Sequence, residues 1–210
     1  MSELDWQATL LTLKLAGITT LCLLLICLPC AFFLARSRSA IKPLIETFVT
    51  LPLVLPPTVM GYYFLVLFSP NSGIGLWLRD TLGLELVFSF TGIWLASMLY
   101  SLPFTFRPLQ SAFEQLPTEL YHSAAILGFS PWQQFYRVVL PAIKPALLTA
   151  TTLSFAHTIG EFGAILMIGG NIPGETQVLS LALFDHVESL DFLGAQRLAL
   201  LMLGFSFAVV

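Results

Sequence analysis

An all-α integral membrane protein is predicted by three observations: the 210 residues are 57% hydrophobic, only 10% are charged, and the apolar residues gather into five long runs. Soluble domains carry roughly 25% charged residues, so this chain has too few polar side chains to cover a surface in water. The mean hydropathy of +0.87 states the same preference. A net charge of -3 supplies no basic field for nucleic acid. Cys22, Cys27 and Cys30 share one apolar stretch, where a Cys-x-x-Cys pair reads as small packing residues rather than a redox site, which needs an exposed thiolate. The start, Met1–Gln7, is acidic through Glu3 and Asp5, and no small-residue cleavage site follows the first run, so no cleavable leader is expected.

A spanning helix needs about 20 apolar residues. The runs Leu15–Ala35, Thr47–Phe68, Leu86–Phe106 and Ala146–Ile168 meet that need, and a fifth begins near Leu198. It is still apolar at Val210, so the natural chain is expected to run on. The sequence then reads as one domain over 1–210, truncated within its last span. Lys and Arg in short loops orient the spans. Arg36, Arg38 and Lys42 lie between the first and second runs, and Arg107, Arg137 and Lys144 between the third and fourth. Those six of nine basic residues place both loops in the cytoplasm and the N-terminus outside. The segment 171–191, with Asp185, Glu188 and Asp191, is then external and reads as a solvated face. Hydropathy does not decide whether 178–187 dips into the membrane.

The second run opens with Pro52, Pro56 and Pro57. Proline removes a backbone donor and clashes with the preceding turn, and in lipid the freed carbonyls must find partners or line a cavity. A plain kink and a broken helix marking a pathway both fit. In the fourth run Glu161 is a carboxylate within a span, a functional candidate by default, and His157 lies four residues earlier on the same face. Glu161 is a poor ligand for a divalent anion, because like unit charges 4 Å apart repel by about 4 kcal/mol at an effective dielectric of ~20. Pairing with helix donors or with His157, in a gate region, suits it better. Gly160, Gly163, Gly169 and Gly170 read either as packing residues or as a hinge.

The stretch 117–145 is too polar to cross the membrane. One helix is expected from Thr118, as N-cap, to Leu127, ending at Gly128 in the left-handed conformation. A second is expected over Trp132–Leu140, with Ser130, Pro131 and Gln133 forming a capping box and Pro141 ending it. Its Phe135, Val138 and Val139 recur at helical spacing. Such a hairpin either lies on the headgroups, anchored by Trp132 and Tyr136, or docks a soluble partner.

His122-Ser123-Ala124, three residues, Gly128, nine residues, Val138, one residue and Leu140-Pro141 together resemble the EAA loop of ABC-transporter permeases. That loop reads Glu-Ala-Ala, Gly, Ile, Leu-Pro at the same spacings; His122, Ser123 and Val138 depart from it. The resemblance implies a type I ABC importer transmembrane domain with about five spanning helices and a cytoplasmic coupling helix hairpin, whose loop inserts into an ATPase subunit. Three further stretches, 51–57, Gly160–Ala164 and 170–176, are similar to permeases of the molybdate (ModB) type. Phe162 and Ala164 separate them from the sulfate branch, which tends to read Gly-Glu-Tyr-Gly-Ser. This second resemblance implies a permease homodimer in the bacterial inner membrane, with two ATPase subunits beneath and a periplasmic or extracellular molybdate-binding protein above. ATP and Mg²⁺ would sit on the ATPase, and this chain would hold no cofactor of its own.

The residues support that division. No Gly-x-x-x-x-Gly-Lys-[Ser/Thr] is present to cradle ATP, and Gly73-Ile-Gly75, in an external loop, is followed by Trp77 rather than a third glycine. His122, His157 and His186 are too scattered for a metal set. No Arg or Lys lies well inside the first four runs, so anion affinity is expected to reside elsewhere. Rival readings are a sulfate or other oxyanion permease, an ion-coupled secondary transporter with Glu161 as its site, and a membrane enzyme built on the external acids.

Overall fold

The computed structural model describes residues 2–209, and every regular element among them is helical. The first, α1 (Glu3–Arg36), starts well before the expected Leu15, because Ser2 and Asp5 form a reciprocal capping box at its N-terminus. Its 34 residues rise about 51 Å, against a hydrocarbon core of about 30 Å, so its first turns stand outside the bilayer.

The second apolar run is two helices, α2 (Lys42–Val54) and α3 (Pro57–Phe68), bent by 109° at Leu55-Pro56. Of the two readings that the prolines left open, a plain kink and a broken helix, the 109° bend is the broken helix. Gly73 and Gly75, expected in a loop, open α4 (Gly73–Leu82), which Ser72 caps. The third run is α5 (Phe90–Gln115), continuing past Phe106 toward the hairpin.

The hairpin comprises α6 (Thr118–Ile126), α7 (Pro131–Gln134), a π-turn segment Phe135–Val139 and α8 (Leu140–Ala142). Two expectations are corrected here. Pro117, not Thr118, is the N-cap of α6, with no side-chain cap bond, and the second helix does not stop before Pro141 but continues through it after a π-turn. Pro141 has no N–H for the carbonyl four residues back and would crowd it. The wider turn just before it, with the Leu140 N–H reaching the Phe135 carbonyl, absorbs that misfit.

The fourth run is also broken. α9 (Lys144–Gly160) stops at Glu161 and Phe162, and α10 (Gly163–Gly169) resumes. The chain then turns through Gly170 and Asn171 into α11 (Leu179–Glu188) and α12 (Phe192–Val209).

α1, α5 and α9 pack together as the frame. Leu23, Cys27, Ala31, Leu109, Phe113, Val139, Ile143 and Ala150 fill its lower half, and Leu15, Ile93, Ala96, Ile165, Ile168 and Leu181 fill its upper half. Their alternation of leucine or isoleucine with alanine lets the helices approach closely. The cysteines are free; Cys27 is buried in the lower core.

The segment 171–191, expected to be a solvated face, is tied down. Val178, the N-cap of α11, has no capping side chain; instead Thr12 Oγ1 on α1 accepts the Leu179 N–H at 2.7 Å in a buried setting. Asp185 accepts from Asn171 Nδ2 at 2.9 Å and Gln177 Nε2 at 2.7 Å. His186 holds α11 to both neighbours, with Nε2 3.0 Å from Asp5 on α1 and Nδ1 2.9 Å from Asp191. Only the imidazolium donates from both nitrogens at once. The Asp5 hydrogen bond, with the Asp191 bond adding to it, raises the His186 pKa above the ordinary value. The Gly194 N–H and then His186 hold the Asp191 carboxyl below its ordinary value.

Both ties can be tested by substitution. Thr12→Val removes the acceptor for the Leu179 N–H and should cost about 1–2 kcal/mol, read as a lower melting temperature in detergent. A group whose pKa is raised on folding stabilises fully below its unfolded pKa, about 6.5 for histidine, and loses that contribution as pH rises through the native value. The stability advantage of the wild type over His186→Gln should therefore be largest at about pH 5.5 and should shrink steadily toward about pH 9. A constant difference across that range would refute the charged clasp.

Candidate functional site

The two helix breaks meet. Where α2 gives way to α3, Pro56 and Pro57 carry no N–H, so the interruption leaves no donor orphaned there, and the Pro56 carbonyl accepts from Val59 and Met60 at 3.0 and 3.2 Å. Where α9 gives way to α10, the Glu161 N–H reaches the Thr158 carbonyl at 3.4 Å and the Phe162 carbonyl accepts from Leu166 at 2.9 Å. The exposed Glu161 carbonyl takes its hydrogen bond from Ser180 Oγ of α11 at 2.6 Å. Ser180 is a site residue that the sequence did not reveal, because it lies nineteen positions away in another helix.

Glycines bring the breaks into contact. A Cβ on Gly61 of α3 would stand 2.8 Å from the Met167 Cβ and 2.9 Å from the Ala164 backbone; one on Gly163 would meet Pro57 Cβ at 3.0 Å. Gly169 is similarly close to Ile93, at 2.7 Å. Gly160 differs from the close-packing role expected for it: nothing lies within 4 Å of its Cβ position, and it opens onto a cavity. That cavity, about 480 Å³, is lined by Pro57, Thr58, Tyr100, His157, Glu161 and Phe162 among others, and no lining residue is Lys or Arg. Pro52 is buried in α2, one turn before the break.

His157 and Glu161 both line the cavity but do not bond to each other. His157 Nδ1 lies 3.0 Å from Ser101 Oγ, which is 2.9 Å from Thr158 Oγ1, and its ring stacks on Phe104 with centroids 4.1 Å apart. Glu161 is only 4% exposed, and the Ser97 hydroxyl lies beside its carboxyl without forming a well-aligned hydrogen bond. Of the two pairings expected for Glu161, the one with His157 is not made, and the one with donors from a neighbouring helix is made by its backbone carbonyl. α9 ends at Gly160, so Glu161 leaves the helical face on which four-residue spacing would have brought the two together.

The hairpin completes the site at the other end of α9. Gly128 has φ +78°, and the Phe129 and Gly128 N–H groups return to the Ala124 and Ala125 carbonyls at 3.1 and 2.9 Å, the paired bonds of a Schellman motif. No neighbour crowds Gly128, so backbone conformation alone requires glycine there. His122 and Ser123 are exposed, and Ala124 is buried. The tip presents Ile126 and Leu127, 86% and 73% exposed, which motif spacing did not single out. Behind them Phe135 packs edge-on to Phe32, centroids 5.3 Å apart, and Val139 is buried, while Val138 and Leu140 are half-buried and Pro141 is exposed.

A buried carboxyl left poorly paired costs about 1–3 kcal/mol, and Glu161 has only the misaligned Ser97 hydroxyl beside it. Glu161→Met should leave the melting temperature unchanged or raised while depressing transport by about tenfold or more. Ser180→Ala, which strands the Glu161 carbonyl, should destabilise by about 1–3 kcal/mol. A clear loss of stability in Glu161→Met would show that the carboxyl is satisfied in the protein.

The relatives of this chain share its architecture. Residues 27–210 match the family model for the binding-protein-dependent transport system inner membrane component. The molybdenum transport system permease protein ModB of Azotobacter vinelandii is 48% identical over 211 residues, covering 100% of this chain and 93% of that protein. The sulfate transport system permease protein CysT of Escherichia coli is 36% identical over 176 residues, covering 84% of this chain and 63% of that protein. Among solved structures, a bacterial alginate ABC transporter in complex with an alginate-bound periplasmic protein has a chain that superposes with TM-score 0.82 at 17% identity, covering 100% of this chain and 76% of that one. At that identity the likeness concerns fold alone, and the fold is the type I ABC importer transmembrane domain. The chain belongs to the binding-protein-dependent transport system inner membrane components, the permease family of ABC importers.

Proposed function

We propose that this chain is the permease subunit of an ATP-driven molybdate importer, acting as a homodimer with two ATPase subunits on the cytoplasmic side and a molybdate-binding protein on the periplasmic side. In this reading the N-terminus is outside, ATP and Mg²⁺ belong to the ATPase, and the chain performs no chemistry of its own. The observation that carries it is the connection, by one rigid helix, of an exposed hairpin to the paired helix breaks. α9 bends from the hairpin by 70° at Ile143 and runs without interruption to Glu161. Its 17 residues span about 25 Å. A push on the hairpin therefore tilts α9 as a lever and moves Gly160–Gly163 against Pro57 and Gly61, where contacts are too close to slide without repacking.

Ile126 and Leu127 give the hairpin an apolar tip outside the helix bundle, suited to a cleft on a soluble subunit. The cavity offers hydroxyl and ring edges but no cation, as expected of a passage that releases its anion, with affinity residing in the binding protein. The 48% identity over the full chain to the ModB protein of Azotobacter vinelandii, together with Phe162 and Ala164, favours molybdate over sulfate, although the ModB and CysT proteins of Escherichia coli are 35% and 36% identical to this chain.

Competition for ATP-dependent uptake of labelled molybdate, in proteoliposomes holding the permease, ATPase and binding protein, tests the assignment. Inhibition by tungstate but not sulfate is expected. Equal inhibition by sulfate would transfer the chain to the sulfate branch, and uptake abolished by an uncoupler at constant ATP would indicate a secondary transporter. In the same vesicles Gly128→Val places a β-branched residue in the left-handed region, costing about 1–2 kcal/mol locally. It should leave the protein in the membrane while cutting uptake per ATP hydrolysed by about tenfold; unchanged coupling would remove the hairpin from the mechanism.

A further inference from the structure

A second, larger recess lies away from the pathway. It encloses about 700 Å³ between the lower half of α1, the hairpin and the start of α9. Leu24, Leu28, Phe32 and Phe33 form one wall, and Leu140 and Leu147 belong to the other. Among the lining residues a single one is charged, Arg36. Its guanidinium lies 4.1 Å from the Tyr121 ring centroid and 5.1 Å from that of Phe32. None of the ion pairs among the described residues includes it. A guanidinium held over two rings by its cationic centre still has N–H donors for an anion. At the rim Trp132 and Tyr136 stack 5.7 Å apart and are 71% and 57% exposed, the aromatic chemistry of a membrane–water interface.

We infer that this recess binds one anionic phospholipid, its phosphodiester paired with Arg36 and an acyl chain laid between α1 and the hairpin. The charge pattern selects that occupant. An apolar recess of this size takes hydrocarbon, and a lone cation at its mouth, without a carboxylate, asks for an anion on the same molecule. Free phosphate would meet Arg36 and leave the recess unfilled; a zwitterionic lipid would bring a cation of its own. The leaflet depends on the topology proposed above, which puts Arg36 at the cytoplasmic face, where anionic lipids concentrate. Since one wall is the hairpin itself, the lipid also links the hairpin to α1.

Native mass spectrometry of the permease purified with its ATPase, delipidated and then titrated with phosphatidylglycerol or phosphatidylcholine of matched chains, tests this directly. One phosphatidylglycerol per permease chain is expected, held about tenfold more tightly than phosphatidylcholine. Arg36→Gln should erase that preference, Arg36→Lys should keep part of it, and Arg38→Gln, outside the recess, should keep all of it. Leu25→Trp alters an exposed recess residue without touching the charge, and it should lower retention of phosphatidylglycerol even if Arg36→Gln fails to fold. Excess glycerol phosphate should displace nothing. Equal retention of the two lipids, an unchanged Arg36→Gln, or displacement by glycerol phosphate would overturn the inference. So would a Phe33→Cys cross-link to a second permease chain, which would show the recess covered by protein. Lipid retention is read without transport, so a wrong substrate assignment would leave this result intact, and the reverse also holds.

Discussion

Everything distinctive in this fold depends on how two interruptions in the helical backbone are kept satisfied where water is absent. Each unpaired backbone group in hydrocarbon costs several kcal/mol, so a helix can break there only if the freed groups are removed or met. The chain uses both solutions. At residues 55–57 consecutive prolines delete the donors covalently. At Glu161 the freed carbonyl is met by a hydroxyl, Ser180, delivered from α11. α11 is in turn anchored to α1 through Thr12 and the His186 clasp, so α11 is part of what permits the break at Glu161.

Placing the breaks against each other gives the junction its mechanical character. Gly61 and Gly163 admit backbone contact so close that any movement of α10 past α3 requires discrete repacking rather than gradual sliding. The Glu161 carboxyl, buried at the cavity with only the misaligned Ser97 hydroxyl beside it, is a local cost inside an otherwise well-filled bundle, and such costs concentrate where a protein changes state. At the far end of α9 the π-turn before Pro141 and the left-handed Gly128 set the shape of the hairpin.

Much of this was legible in the residues because it is local. The apolar runs, the Ser130–Gln133 capping box, the left-handed Gly128 and the proline break each arise from neighbours within a few positions. Hydropathy also placed the runs, yet it described the second and fourth as continuous: averaging over about 20 residues is blind to a two-residue interruption that keeps its apolar character, as Leu55-Pro56 and the stretch around Phe162 do. Helical spacing likewise suggested contact between His157 and Glu161, which holds only while the helix continues, and α9 stops between them.

The sequence by itself determined the membrane environment, the helical class, the hairpin with its glycine stop, and a resemblance that family membership bears out. Composition and short-range backbone chemistry are properties of the chain alone. Only the tertiary structure decided that the two breaks face one another, that Ser180 serves Glu161, that Gly160 opens onto the cavity while Gly163 is packed, and that Arg36 lies against two rings at the mouth of an apolar recess. Those facts join residues far apart along the chain, and they arise from burial and hydrogen-bond satisfaction across helices, which no local pattern encodes.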